Sequence, residues 1–135
     1  MNTRLCSISN GMDNKKTILI VEDDFFVSRA YAIKFEKENL NAQSVTDGEA
    51  AIDYLKNNEA PNLVLLDLMI PKKSGFEVLK EIKENEKWKN IPVIILSNLG
   101  QENDIKKGKE MGAAEYIIKA DVDIEEIIEK AKKYL

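Results

Sequence analysis

The chain has 135 residues, 33% of them charged and 44% hydrophobic, and a formal net charge of -4 at neutral pH. That is enough for one domain with a real core, and neither the acidic balance nor any dense Lys/Arg run suggests nucleic acid or an anionic membrane as partner. No apolar stretch is long enough to span a bilayer, and the absence of histidine excludes a phosphohistidine donor or a histidine-based acid-base catalyst.

Residues 1–16 are polar and aperiodic, lack the apolar core of a signal peptide, and read as a flexible tail ahead of one domain at 17–135. Met12 is a candidate start. The single Cys6 has no internal partner, which fits a reducing cytoplasm. From Thr17 onward, strand and helix patterns alternate five times.

The run Thr17-Ile18-Leu19-Ile20-Val21 reads as a buried strand and ends at Glu22-Asp23-Asp24. A helix follows from about Asp24, its expected cap, to about Asn39, with Phe26, Ala30 and Ile33 on one face. Ala42-Gln43-Ser44-Val45 is a polar strand suited to a sheet edge. Thr46 and Glu49 form a capping-box pattern opening a helix to about Asn57. Leu63-Val64-Leu65-Leu66 is a second buried strand and ends at Asp67. Ser74 and Glu77 repeat the capping box before a helix carrying Val78, Leu79 and Ile82.

The run from Ile91 to Leu96 is a further strand, ended by Ser97. The helix expected over 101–111 is thinly apolar, with Ile105 nearly its only core residue and Gly108 lowering its propensity. Tyr116-Ile117-Ile118 is the last strand and ends at Lys119. Asp123 and Glu126 open a final helix striped by Ile124, Ile127, Ile128, Ala131 and Leu135. This alternation predicts a doubly wound α/β sandwich with a parallel sheet.

Ligands bind such sheets just outside the carboxyl ends of the strands, where the winding order reverses. Glu22, Asp23, Asp67, Ser97 and Lys119 all stand at those ends. The carboxylates supply hard oxygen ligands of the kind magnesium takes. A charge at Asp67, in the most apolar stretch of the chain, costs free energy unless compensated, and a carboxylate beside a metal can attack phosphorus. The ammonium and the metal would neutralise charge on a phosphoryl group in transfer.

The segments ILIVEDD (18–24), VLLDLMIPKKSGFEVL (64–79), IPVIILSN (91–98) and GAAEYIIKA (112–120) resemble those of receiver domains of two-component response regulators. The resemblance covers Thr17 to Leu135. It implies a flavodoxin-like (βα)5 fold with strand order 2-1-3-4-5 and the site between strands 1 and 3. It further implies that Asp67 accepts a phosphoryl group from a phosphohistidine on a sensor histidine kinase or histidine phosphotransfer protein. Glu22, Asp23, Asp67 and the backbone carbonyl of Met69 would hold Mg2+. Ser97 would hydrogen-bond the acyl phosphate, Lys119 would pair with it, and Tyr116 would be the aromatic switch. Output would pass to a downstream protein through helix 4, strand 5 and helix 5.

Departures from the family pattern carry their own expectations. Ala120 replaces the usual proline after Lys119, so a trans peptide is expected there. Asn98 replaces a small residue and narrows phosphoryl access or adds a polar contact. Glu22 stands for Asp and should retain the metal. Met69 and Leu99 are apolar where water reaches the acyl phosphate, so slow hydrolysis is expected.

The chain ends within a residue or so of the last helix, and a stand-alone cytoplasmic receiver is expected, monomeric or weakly dimeric when phosphorylated. It would catalyse only its own phosphorylation and slow dephosphorylation. Three rivals are an aspartyl phosphatase, a flavin module, and a degenerate receiver that docks partners without phosphorylation. Such phosphatases use a second Asp two residues after the nucleophile, where this chain has Met69. No phosphate-cradling loop follows the first strand, which disfavours a flavin. The intact Asp67, acidic pair, Ser97 and Lys119 disfavour the degenerate receiver.

Overall fold

The computed structural model describes residues 15–135; the expected tail at 1–16, with Cys6 and Met12, lies outside them except for Lys15 and Lys16. Strands β1 (Thr17–Val21), β2 (Asn41–Val45), β3 (Leu63–Leu66), β4 (Val93–Ser97) and β5 (Glu115–Ile118) alternate with helices α1 (Phe25–Lys37), α2 (Gly48–Asn57), α3 (Gly75–Glu84), α4 (Glu102–Glu110) and α5 (Ile124–Lys132). The strands form one parallel sheet in the order β2-β1-β3-β4-β5, as the resemblance implies.

Residues alternate between the two faces of the sheet, so each central strand feeds two cores. Ile18, Ile20, Leu63, Leu65, Ile94 and Leu96 pack with Tyr31 and Phe35 of α1 and Ile127, Ile128 and Ala131 of α5. Leu19, Val21, Val64, Leu66, Val93 and Ile95 pack with the apolar stripes of α2 and α3. Trp88, the one tryptophan of the sequence, is buried in this second core from the turn that leads to β4. The edge strand β2 is polar and largely exposed, as its composition suggested.

Two local expectations are corrected. The inward face of α1 is Ser28, Tyr31 and Phe35, whereas Phe26, Ala30 and Ile33 face solvent. Both sets recur at helical spacing, and the phase that buries the two aromatic rings removes more apolar area from water. The cap of α2 is Asp47, whose carboxylate accepts the Ala50 N–H at 2.7 Å, not Thr46. A carboxylate at the helix N-terminus gains the helix dipole as well as the hydrogen bond.

The other caps are as the sequence suggested. Asp24 accepts from the N–H groups of Phe26 and Val27, and Ser74–Glu77 and Asp123–Glu126 are both reciprocal capping boxes. Among the five helices α4 alone lacks a side-chain cap: Gln101 precedes it with no such hydrogen bond. Among the described residues no helix is long and apolar enough to cross a membrane.

Candidate phosphoryl and cation site

Parallel pairing brings the strand ends level. Val21 pairs with Leu66, and Leu66 with Ile95, so Glu22 and Asp67 emerge side by side with β4 ending beyond them. The Asp67 N–H donates to the Val21 carbonyl at 3.0 Å, which fixes that juxtaposition. Ser97 pairs with Ile118, so Lys119 leaves β5 one residue further on.

Glu22, Asp23 and Asp67 each offer a carboxylate oxygen, and the three lie within 4.8 Å of one another. Glu22 and Asp67 are buried while Asp23 is exposed, so the cluster opens to solvent on one side. Glu22 is further tied by accepting the Asp24 N–H on Oε2 at 3.1 Å. The Lys119 ammonium donates to Glu22 Oε1 and, at 2.9 Å, to Asp67 Oδ2. Asp67 Oδ1 accepts the Met69 N–H at 3.0 Å, so both oxygens of this carboxylate are oriented. The Lys119–Ala120 peptide is trans, as expected.

Burial raises the pKa of Glu22 above its ordinary 4.5, and the neighbouring Asp67 charge adds to this against the pull of Lys119. For Lys119, burial disfavours the ammonium, but the hydrogen bonds to Glu22 and Asp67 outweigh it and leave the pKa above 10.5. Two carboxylates thus share one ammonium, with Asp23 adding a third carboxylate. This residual negative charge and the hard oxygen donors fit a small divalent cation, which takes carboxylates together with water and phosphate oxygens.

The loop after Asp67 is braced from α3. A Cβ on Gly75 would lie 2.5 Å from both the Asp67 carbonyl oxygen and Leu68 Cα, so only glycine lets the helix start rest on the site backbone. The Gly75 N–H donates to the Leu68 carbonyl at 3.1 Å.

Ser97 is fully buried, and its Oγ accepts the Leu99 N–H at 3.3 Å. The Tyr116 hydroxyl donates to the Leu99 carbonyl. The two expected switch residues are therefore joined through a single residue of the β4–α4 loop. Met69 is exposed, and Asn98 also faces solvent.

The sequence did not reveal Tyr31. It lines a small cavity of about 10 Å³ together with Glu22 and Asp67, and burial raises its phenol pKa above 10.0. Its i, i+4 spacing to Phe35 was the available signal. Phe25 is 65% exposed, Phe26 82% and Met69 60%. Phe25 and Phe26 follow Asp24 directly in the chain, and Met69 stands two residues after Asp67.

A family model described as the response regulator receiver domain matches residues 18–132. The chain is 39% identical over 124 residues to sporulation initiation phosphotransferase F of Bacillus subtilis, covering 92% of this chain and 96% of that protein. The receiver domain of the Francisella response regulator 1452 superposes with a TM-score of 0.82 at 26% identity, covering 89% of this chain and 96% of that one. The Mn(2+)-bound form of response regulator Rcp1 gives a TM-score of 0.74 at 33% identity, covering 87% and 90%. The chain spans about half the length of the first curated relatives it matches, for example 48% of a Synechocystis transcriptional regulator, RpaA, to which it is 35% identical.

Proposed function

Because the chain belongs to the response regulator receiver domain family, we propose that it accepts a phosphoryl group on Asp67 from a phosphohistidine partner and signals by a conformational change. The observation that carries this reading is the doubly oriented Asp67 carboxylate beside Glu22, Asp23 and Lys119.

In the transfer, an Asp67 oxygen attacks phosphorus in line with the imidazole nitrogen. The P–O bond forms, the P–N bond breaks, and its electron pair stays on the imidazole. The Met69 N–H and the Lys119 ammonium hold the carboxylate for attack, and Lys119 lies where charge builds on the phosphoryl oxygens. Glu22, Asp23, Asp67 and the Met69 carbonyl would hold Mg2+. When bound, the ion supplies charge neutralisation for the incoming phosphoryl group. The Mn(2+)-bound form of Rcp1 supports a divalent cation here.

Ser97 would then turn its hydroxyl from the Leu99 N–H to the phosphoryl oxygen. Leu99 would carry that change to Tyr116 and the α4–β5–α5 face, where a downstream protein reads it. Phe25, Phe26 and Met69, exposed and close in the chain to the acidic residues, would meet the donor protein. A part in phosphoryl transfer is supported by the likeness to sporulation initiation phosphotransferase F. Catalysis would be confined to the protein's own phosphorylation and dephosphorylation, with no nucleic acid or membrane partner.

Intact-protein mass after incubation with acetyl phosphate tests this. One phosphoryl adduct is expected, dependent on Mg2+ and absent from Asp67→Asn. A wild-type chain that takes no adduct and binds no beryllofluoride would overturn the proposal.

A further inference from the structure

The one buried residue of α4 is a glycine. A Cβ placed on Gly108 would lie 2.6 Å from Ile95 Cδ1 and 3.1 and 3.4 Å from Cδ2 and Cε2 of the Tyr116 ring. Ile95 and Tyr116 are register partners on β4 and β5, so the bare Cα of Gly108 faces two neighbouring side chains at once. Ile95 is fully enclosed in the second core, paired on its other side with Leu66. Tyr116 is only partly buried, so its ring is the neighbour with room to leave.

We propose that Gly108 is a positioning residue for Tyr116: the missing side chain is the seat against which the ring lies, with its hydroxyl on the Leu99 carbonyl. A methyl group there meets the enclosed Ile95 Cδ1 most closely and the Tyr116 ring next, so it shifts the ring outward or lifts α4. A shifted ring loosens its hydroxyl from Leu99 and weakens the link from Ser97 to the α4 face. The rest of α4 offers little to resist. It has no side-chain cap, and Ile105 is only partly buried. Beside Gly108, the Lys107 ammonium lies 4.3 Å from the centroid of the Phe76 ring on α3, a contact that a lifted α4 would also lose. The inference rests on the switch reading of Tyr116 only for its signalling consequence; the seat itself is independent of phosphorylation.

The test is 19F NMR of the full chain carrying 3-fluorotyrosine at position 116. In Gly108→Ala the resonance is expected to move from its wild-type position toward that of a solvent-exposed tyrosine, while acetyl phosphate still labels Asp67 at an unchanged rate. Adding Ile95→Val removes the Cδ1 atom at 2.6 Å and is expected to return the resonance toward its wild-type position. A Gly108→Ala resonance identical to wild type overturns the proposal, since alanine is otherwise the better helix residue. Should that variant not fold, the wild-type chain decides: nuclear Overhauser contacts between the Tyr116 ring and the Gly108 α-protons are expected, and their absence overturns the seat. Failure of the switch reading shows separately, as a wild-type resonance that beryllofluoride with Mg2+ does not move.

Discussion

The Lys119 ammonium lies 2.9 Å from Asp67 Oδ2 while it also donates to Glu22, so one cation from β5 closes a pair of buried carboxylates from β1 and β3. Lys119→Met leaves that pair without its counter-charge. The expected loss of stability is about 3 kcal/mol in metal-free buffer. Added Mg2+ should recover part of it, because a cation that binds only the folded state stabilises by mass action. Urea unfolding with and without Mg2+ measures both. Labelling by acetyl phosphate should slow by roughly tenfold or more as a phosphoryl-facing donor is lost.

Glu22 gives the pH dependence. Its carboxyl pKa is raised in the fold, so between 4.5 and the raised value the folded chain holds more protons than the unfolded one. This contribution to stability therefore falls as pH rises through that window and is relieved as pH falls. Glu22→Gln removes it while keeping an acceptor for Lys119. The metal-free variant should be more stable than wild type at pH 7, and the difference should vanish near pH 4.5. It should also bind Mg2+ more weakly. A stability gain that is constant with pH would reject this account.

Phe26→Asp separates docking from chemistry. The side chain is 82% exposed, so the expected change in stability is within about 0.5 kcal/mol. Acetyl phosphate should label Asp67 as before, whereas transfer from a phosphohistidine protein should slow. Equal slowing with both donors would place Phe26 in the chemistry rather than in the docking edge.

Met69 is expected to control how long an acyl phosphate on Asp67 would last. Its apolar side chain stands two residues from Asp67 and offers no group to orient an attacking water. Met69→Asn supplies an amide that can, so the phosphorylated form should decay several-fold faster. Intact mass followed over time gives the half-life, and an unchanged value would remove Met69 from hydrolysis control.

The site was legible because parallel strands deliver their terminal residues to one edge. Once the runs ending at Glu22, Asp67, Ser97 and Lys119 are read as strands, the pairing brings the groups together without further information. The capping boxes at Ser74 and Asp123 were equally plain, since each is a local exchange over three residues. The phase of α1 was not. Apolar residues surround that helix, and only the depth of the Tyr31 and Phe35 pockets decides which face turns inward. Tyr31 behind the acidic pair was hidden for the same reason. Gly108 read as a propensity defect because its meaning depends on Ile95 and Tyr116, which the sheet brings to it from other strands. Asp47 displaced Thr46 as a cap by one residue, a margin at which the two side chains compete for the same N–H groups.

Trp88 stands in the turn before β4, whereas the acidic cluster of Glu22, Asp23 and Asp67 lies beyond the far ends of the strands. The five residues of β4 separate the two by roughly 16 Å. Trp88 lines a surface cleft with Leu55 and Lys56 of α2 and Glu84 of α3. Its emission is therefore expected to report whether the sheet and these helices are assembled, and to stay silent on phosphorylation of Asp67. One sample can thus carry two separate clocks: tryptophan fluorescence for the life of the fold, and mass for the life of the signal.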